Sequence, residues 1–177
     1  IHKMIGGELD SGDIIARDYF MATYETKITE VWNWINLRTP KLMEQAIDNL
    51  AKNPCYIIEK QSKSQADALR CYPRRPEDGQ IKWSDPAIDI IRLINACNKP
   101  FSGAFCYYEK QKLIIWDAQL VKDEEIFCAV PGQVTKIKDK YIEIACGIGK
   151  IRILTIQCGK KVISPSAYVL SLRARLN

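Results

Sequence analysis

The spacing of apolar residues changes character several times along the chain. Over the first 20 residues, short apolar runs flank the turn "GGELDSGD", a pattern that predicts strand, loop and strand. From Lys27 the period becomes helical: Ile28, Val31, Trp32 and Ile35 recur on one face, and Thr39-Pro40 then offers an N-cap followed by proline at a first helical position. A second helix is predicted from Pro40 to about Lys52, with Leu42, Ala46, Ile47 and Leu50 as its buried stripe and Asn53-Pro54 as its stop. The long polar stretch over 59–82, with its prolines, reads as a linker. At Ser84-Asp85-Pro86 the helix-start signal returns, and Ile90, Leu93, Ile94 and Cys97 form an amphipathic stripe that ends at Lys99-Pro100. After Gly103 the helical period is gone. The runs "AFCYY", "LIIWDAQL", "GQVTKI", "YIEIAC", "KIRILTIQ" and "KVIS" are short strands separated by turns, and they predict a small barrel or sandwich. A last short helix is expected to start at Ser164-Pro165. The expected boundaries are therefore 1–58, a linker over 59–84, and a helix plus β domain over 85–177.

Composition narrows the class. With 47% apolar and 27% charged residues, 177 residues can bury a real core, so disorder is a poor description. No apolar run reaches the roughly 18 residues of a membrane span, and no basic segment leads into an apolar one at the start, so a soluble cytoplasmic chain with no membrane partner is expected. Seven scattered cysteines, Cys55, Cys71, Cys97, Cys106, Cys128, Cys146 and Cys158, are odd in number and never spaced C-x-x-C. That spacing predicts reduced, mostly buried thiols and no metal site. The net charge of +5 is unevenly distributed: residues 1–100 hold 14 basic and 14 acidic side chains, and residues 101–177 hold 12 and 7. Lys136, Lys138, Lys140, Lys150, Arg152, Lys160, Lys161, Arg173 and Arg175 make either a phosphate-facing surface or the solvated rim of a small β domain.

Three stretches, in order, give the chain a family resemblance. "IHKMIGGELDSGDII" is similar to a strand and "LD-T/S/A-G" active-site loop, "PRRPEDGQIKWSDPAIDIIRLINACNKPFSGAF" to an interdomain segment, and "PGQVTKI…YIEIACGIGKIRILTIQ…G" to an OB-like barrel, all of the 10-formyltetrahydrofolate-dependent formyltransferases. That family includes methionyl-tRNA formyltransferase and amino-sugar N-formyltransferases. The resemblance implies an α/β remnant of a Rossmann-like catalytic domain with two helices, followed by a small OB-like β-barrel. It also accounts for a chain that starts in mid-strand without a methionine, as the back part of a longer enzyme whose upstream half would be a partner.

Formyl transfer to an amine needs a neutral nucleophile, an acceptor environment for the oxyanion and a route for the amine proton. The family resemblance implies an Asn-x-His pair assisted by one Asp, which by its place in the loop motif is Asp10, holding an imidazole as a carboxylate does in hydrolase triads. It also implies Gly7, Leu9, Asp10 and Gly12 as the groups nearest the donor, 10-formyltetrahydrofolate. No Asn-x-His occurs in these 177 residues, and the single histidine, His2, sits on the strand before the loop, so the chain alone is expected to be inactive. Read without the resemblance, Asp10-Ser11-Gly12-Asp13 is ordinary turn chemistry, with Asp13 stabilising the loop. Arg74 and Arg75 suit phosphate recognition, or else close a salt-bridged turn with Glu77 and Asp78 over Trp83. The segment "RRPEDGQIKW" is closer to the sugar-modifying branch and points to a nucleotide-linked amino sugar. The basic barrel keeps initiator methionyl-tRNA open as the alternative substrate. A non-catalytic, OB-type nucleic-acid-binding module is the third reading, and a homodimer is compatible with each.

Overall fold

A computed structural model describes residues 1–7, 10–69, 71–122 and 125–177. The chain divides into two compact units: the first comprises Ile1–Met21 with Glu30–Pro73, the second Ala22–Thr29 with Arg74–Asn177.

The first unit has little regular structure beyond one helix. Its predicted strands are reduced to single bridges, in which Ile14 pairs antiparallel with both His2 and Glu59. The helix α1 runs unbroken over Ile28–Lys52, with Pro40 inside it. Two helices were expected on either side of Thr39-Pro40. Proline removes one hydrogen bond, here to the Asn36 carbonyl, and disfavours the helical conformation of the residue before it. The continuous stripe of Val31, Trp34, Arg38, Leu42, Ala46 and Asn49 explains why packing carries the helix through, since all six are partly or fully buried. Arg38 joins that face because its guanidinium grips Asp18, with Nε donating to Oδ2 at 2.6 Å. The core here is small: Ile15, Ala16 and Ala46, with Ile1, Leu42, Leu50 and Tyr56 packed around them.

The second unit is built on an antiparallel sheet of six strands: β1 (Ala104–Tyr108), β2 (Gln111–Leu120), β3 (Val134–Lys138), β4 (Tyr141–Ala145), β5 (Lys150–Cys158) and β6 (Lys161–Ile163). All six coincide with the apolar runs named above. The strand order is β1-β2-β5-β4-β3, and β6 joins β5 beyond the reach of β4. Regular pairing leaves this sheet open, where a closed barrel was expected. Instead of a further strand, the final residues reach both edges: Asn177 exchanges two backbone hydrogen bonds with Tyr107 at 2.6 and 2.9 Å, and Leu176 N donates to Gly132 O at 2.8 Å. The run "RARLN" does alternate, with Ala174 and Leu176 buried between exposed Arg173, Arg175 and Asn177, but two apolar residues are too few to mark a strand in advance.

Helix α2 (Ala87–Ala96) lays Ile90, Ile91 and Ile94 on the sheet, against a core that includes Leu113, Ile115, Ile142, Ile144, Ile151, Ile153 and Ile156. Its start is fixed by tertiary contacts in place of the predicted Ser/Asp cap. Ala87 N donates to Ile148 O at 2.9 Å, and Gly147 N donates to Trp83 O at 2.8 Å. A Cβ on Gly147 would lie 1.8 Å from the Ser84 carbonyl oxygen, so only glycine allows this loop to pass the helix entrance. The expected final helix is one 3-10 turn, Pro165–Ala167, with Ser164 before it.

Candidate functional site

The acidic loop of the first unit is held by its own backbone. Lys3 N donates to Asp13 O and Ile15 N to Ile1 O, both at 2.9 Å, so the arms before and after the loop face each other. They approach so closely that a Cβ on Gly12 would stand 1.7 Å from Lys3 O. The neighbour that requires glycine at position 12 is thus the chain itself. Gly7 turns the loop with φ +82°, and Asp10 also has a positive φ, 53°, a conformation aspartate tolerates better than most residues. Leu9 lies outside the described residues.

Asp10 presents its carboxylate outward, with 91% of the side chain exposed, and Oδ1 lies 3.4 Å from Nε2 of His2. The other ring nitrogen of His2, Nδ1, stands 3.0 Å from the Lys3 carbonyl oxygen. Such an arrangement fixes an imidazole between a carbonyl and a carboxylate, although an exposed pair of this kind is worth little in stability. Sequence reasoning assigned His2 a structural place on its strand and missed this contact, because the register of the two arms is what brings the ring to the loop. Beside it, the buried Ser11 Oγ has no hydrogen-bond partner. Asp13 Oδ1 accepts from Gln61 N at 3.3 Å, tying the loop to the chain after α1.

Arg74 and Arg75 belong to the second unit. Both flank the 3-10 turn Pro76–Gly79: Arg74 Nη2 donates to the Asp78 carbonyl at 2.8 Å, and Arg75 N donates to Asp78 Oδ2 at 2.7 Å. They line a cavity of about 390 Å³ with Gly79, Cys97, Phe101 and Ser102. Burial pushes the Cys97 thiol up and the nearby Arg74 guanidinium partly opposes it, which keeps the cysteine a neutral wall group. Two guanidinium groups over an apolar floor suit an anion joined to a hydrophobic or aromatic body. Trp83 is buried in the core and its indole N–H has no partner.

The strand register gathers four of the basic residues on one sheet face. Lys138 stands opposite Tyr141, Lys136 opposite Glu143, Arg152 opposite Glu143, and Lys150 opposite Ala145. Cross-strand partners share a face, and Tyr141, Glu143 and Ala145 alternate along one strand. Two of the four cations are already engaged. Arg152 grips the buried Glu143 through Nε and Nη2, at 3.1 and 2.8 Å, and also stacks over Tyr141. Lys150, only 2% exposed, pairs with Glu125 under the Phe127 ring.

The cysteines depart from expectation. Cys106 and Cys146 are buried, but Cys55, Cys71 and Cys128 are exposed, and all seven are free thiols. Desolvation raises the Cys106 and Cys146 thiols to about 12. Among the described residues no cluster of three or more His, Cys, Asp or Glu has the arrangement to hold a metal, and no helix is long and apolar enough to cross a membrane.

Residues 74–173 match the family model described as "Formyl transferase, C-terminal domain", which is more than half of the chain. This protein belongs to that family. Among solved structures the fold is similar to HypX from Aquifex aeolicus. The structure of HypX in complex with tetrahydrofolic acid aligns with a TM-score of 0.64 and 16% identity, covering 94% of this chain and 29% of HypX. A multiply substituted HypX variant aligns with a TM-score of 0.64 and 17% identity over 92% of this chain and 28% of that one. The chain thus spans less than a third of the length of these HypX chains, and at such identity the likeness is one of fold.

Proposed function

We propose that the chain is the C-terminal part of a 10-formyltetrahydrofolate-dependent N-formyltransferase that formylates the primary amine of a nucleotide-linked amino sugar. The family match over residues 74–173 carries the reading, and the likeness in fold to a protein crystallised with tetrahydrofolic acid supports a folate-type donor. Bound, that donor supplies the formyl carbon. The residues of the loop fit one flank of such a group and do not enclose it: an outward carboxylate, an imidazole beside it, and the unpartnered Ser11 hydroxyl. In this reading Asp10 orients and charges the imidazole of the Asn-x-His in the upstream half, which takes the amine proton, and Gly7 and Gly12 shape the turn that presents the carboxylate. By resemblance Leu9 is assigned to the same donor site. Arg74 and Arg75 would take the phosphates of the nucleotide.

The upstream catalytic half of the same protein is the proposed partner. On α1, Trp32, Ile35, Met43 and Ile47 form a second apolar stripe beside the buried one, and all four are exposed. A stripe of that width on one helix face is normally covered.

The sheet face with Lys136, Lys138, Lys150 and Arg152 favours initiator methionyl-tRNA as the second reading. The ion pairs of Arg152 with Glu143 and of Lys150 with Glu125 neutralise half of that charge, which is why the sugar reading stands first. Assays of the full-length enzyme with 10-formyltetrahydrofolate and a panel of nucleotide-linked amino sugars test the proposal by formamide formation. Turnover with a sugar and steep loss of it in Asp10→Asn, roughly two or more orders of magnitude with little change in stability, is the expected result. Formylation of methionyl-tRNA alone would replace the sugar reading, and wild-type turnover in Asp10→Asn would remove this residue from the mechanism.

A further inference from the structure

His2 is the only histidine of the chain, and each of its ring nitrogens has a polar neighbour. The Lys3 carbonyl can only accept, so Nδ1, at 3.0 Å from it, carries a proton. In the neutral ring Nε2 is then bare, and it faces a carboxylate oxygen, Asp10 Oδ1, at 3.4 Å. Two acceptors make no hydrogen bond. The contact becomes attractive with the second ring proton, when an imidazolium meets the carboxylate. The other ionisable groups of the three bridged segments have other partners: Glu59 pairs with Arg17 at 2.8 Å, Asp13 Oδ1 accepts from Gln61 N, and the Ile1 ammonium donates to the Ala16 carbonyl. Lys3 and Lys60 have no acidic partner among the described residues, and Glu8 lies outside them. Backbone pairing, with Lys3 N donating to Asp13 O and His2 bridged to Ile14, keeps the arm in place without help from the ring.

Asp10 needs such a partner. Its φ of 53° is a conformation that a side-chain-bearing residue enters at some cost, and such outliers gather at functional sites. With 91% of the side chain in solvent, the carboxylate turns freely unless another group holds it. Among the described residues that group is His2, on Oδ1, and no second one meets the carboxylate. An exposed ion pair adds little to stability, so the consequence of this contact is orientation. One oxygen committed to His2 leaves the other for a second N–H donor.

We propose, resting on the formyl-transfer reading above, that His2 is a positioning residue for that reaction: its imidazolium holds Asp10 Oδ1 so that Oδ2 receives the N–H of the upstream imidazole. Without the ring, Asp10 keeps its charge and loses its aim. In the full-length enzyme His2→Phe should lower kcat about tenfold, less than Asp10→Asn does, with KM for 10-formyltetrahydrofolate and thermal unfolding unchanged. His2→Gln puts an amide N–H near the place of Nε2 and should restore most of that loss. Glutamine does not titrate, so the ratio of native to His2→Gln turnover should fall as pH rises from about 5 to about 8, the range over which histidine changes charge. Carbon-13 NMR of the 177-residue chain gives a readout independent of turnover: the Asp10 carboxyl carbon should shift in step with the titration of the single imidazole, and that step should vanish in His2→Gln. Native turnover in His2→Phe beside a slow Asp10→Asn, or an Asp10 carboxyl signal with no step at the imidazole titration, would overturn the proposal and leave formyl transfer standing. No formamide from the native enzyme with any amine tried would overturn the formyl-transfer reading, and with it the role of His2 in turnover, even where the NMR step is found.

Discussion

The two units differ in how much apolar surface they take out of water. In the second, Ile94, Leu113, Ile115, Ile142, Ile144, Ile151 and Ile153 are all at or below 1% exposure, and helix and sheet cover each other. Among the described residues of the first, the buried hydrophobic cluster is Ile15, Ala16 and Ala46, while Met4, Leu37, Ile47 and Ile58 are at least half exposed and Trp32 and Met43 nearly so. Hydrophobic stabilisation follows the apolar area removed from water, so one unit has the means to hold itself together and the other has only a helix, a closed loop and a few ion pairs. The comparison separates what is stable from what is chemically suggestive, since the Asp10 loop belongs to the weaker unit.

Thiol labelling gives the sharpest contrast. At pH 8, Cys106 and Cys146, raised from 9.0 to about 12, should hold about a thousandfold less thiolate than ordinary thiols and be shielded as well. Mass spectrometry after brief iodoacetamide treatment should find Cys55, Cys71 and Cys128 modified and those two intact. Early modification of Cys106 would mean that the sheet opens easily, and the distinction between the units would fail. Core truncation comes next: Ile94→Ala should cost about 2–5 kcal/mol in denaturant unfolding, against about 1 kcal/mol for the partly buried Leu42→Ala.

A matched steric insult sharpens the comparison further. Gly147→Ala and Gly12→Ala each drive a Cβ to within 2 Å of a carbonyl oxygen, at 1.8 and 1.7 Å. Overpacking of about 1–3 kcal/mol should appear in the global unfolding of Gly147→Ala. In Gly12→Ala it should appear mainly as faster amide exchange at Lys3 and Ile15, because the loop can open locally. Equal global losses would show that the two units unfold as one.

The effects of pH have opposite signs in the two units. The Tyr19 backbone N–H and then Arg38 hold the Asp18 carboxyl below its ordinary value of 3.8. Its contribution is complete above that value and is lost as pH falls through the depressed one, so the first unit loosens in acid. The buried thiols stay protonated in the folded state while unfolded ones ionise near 9, so the second unit loses stability as pH rises from about 9 toward 12. Far-UV and near-UV circular dichroism across both ranges, repeated on Asp18→Asn and Cys106→Ala, would check each sign.

What could be read from the sequence alone was whatever local periodicity encodes. The alternating runs set all six strands, the Ile90, Leu93, Ile94 stripe set α2, and three ordered motifs set the family, because strand pleat and helix turn impose periods of about 2 and 3.6 on any buried face. Tertiary structure decided the rest. Pro40 reads as a boundary until a buried stripe on both sides of it carries one helix through. The sheet reads as a barrel until the pairings are known, and its edges are met by a tail whose alternation, only two apolar residues long, is too short to mark a strand. His2 reads as a strand residue until the register of two arms, fixed by hydrogen bonds and by the space that Gly12 leaves, brings its ring to Asp10. Asn95 reads as one polar residue on an apolar helix, and only the packing of three distant segments shows that half of its amide has no partner. Each of these depends on which remote atoms come together, a matter of register and packing that the residue pattern within one segment does not contain.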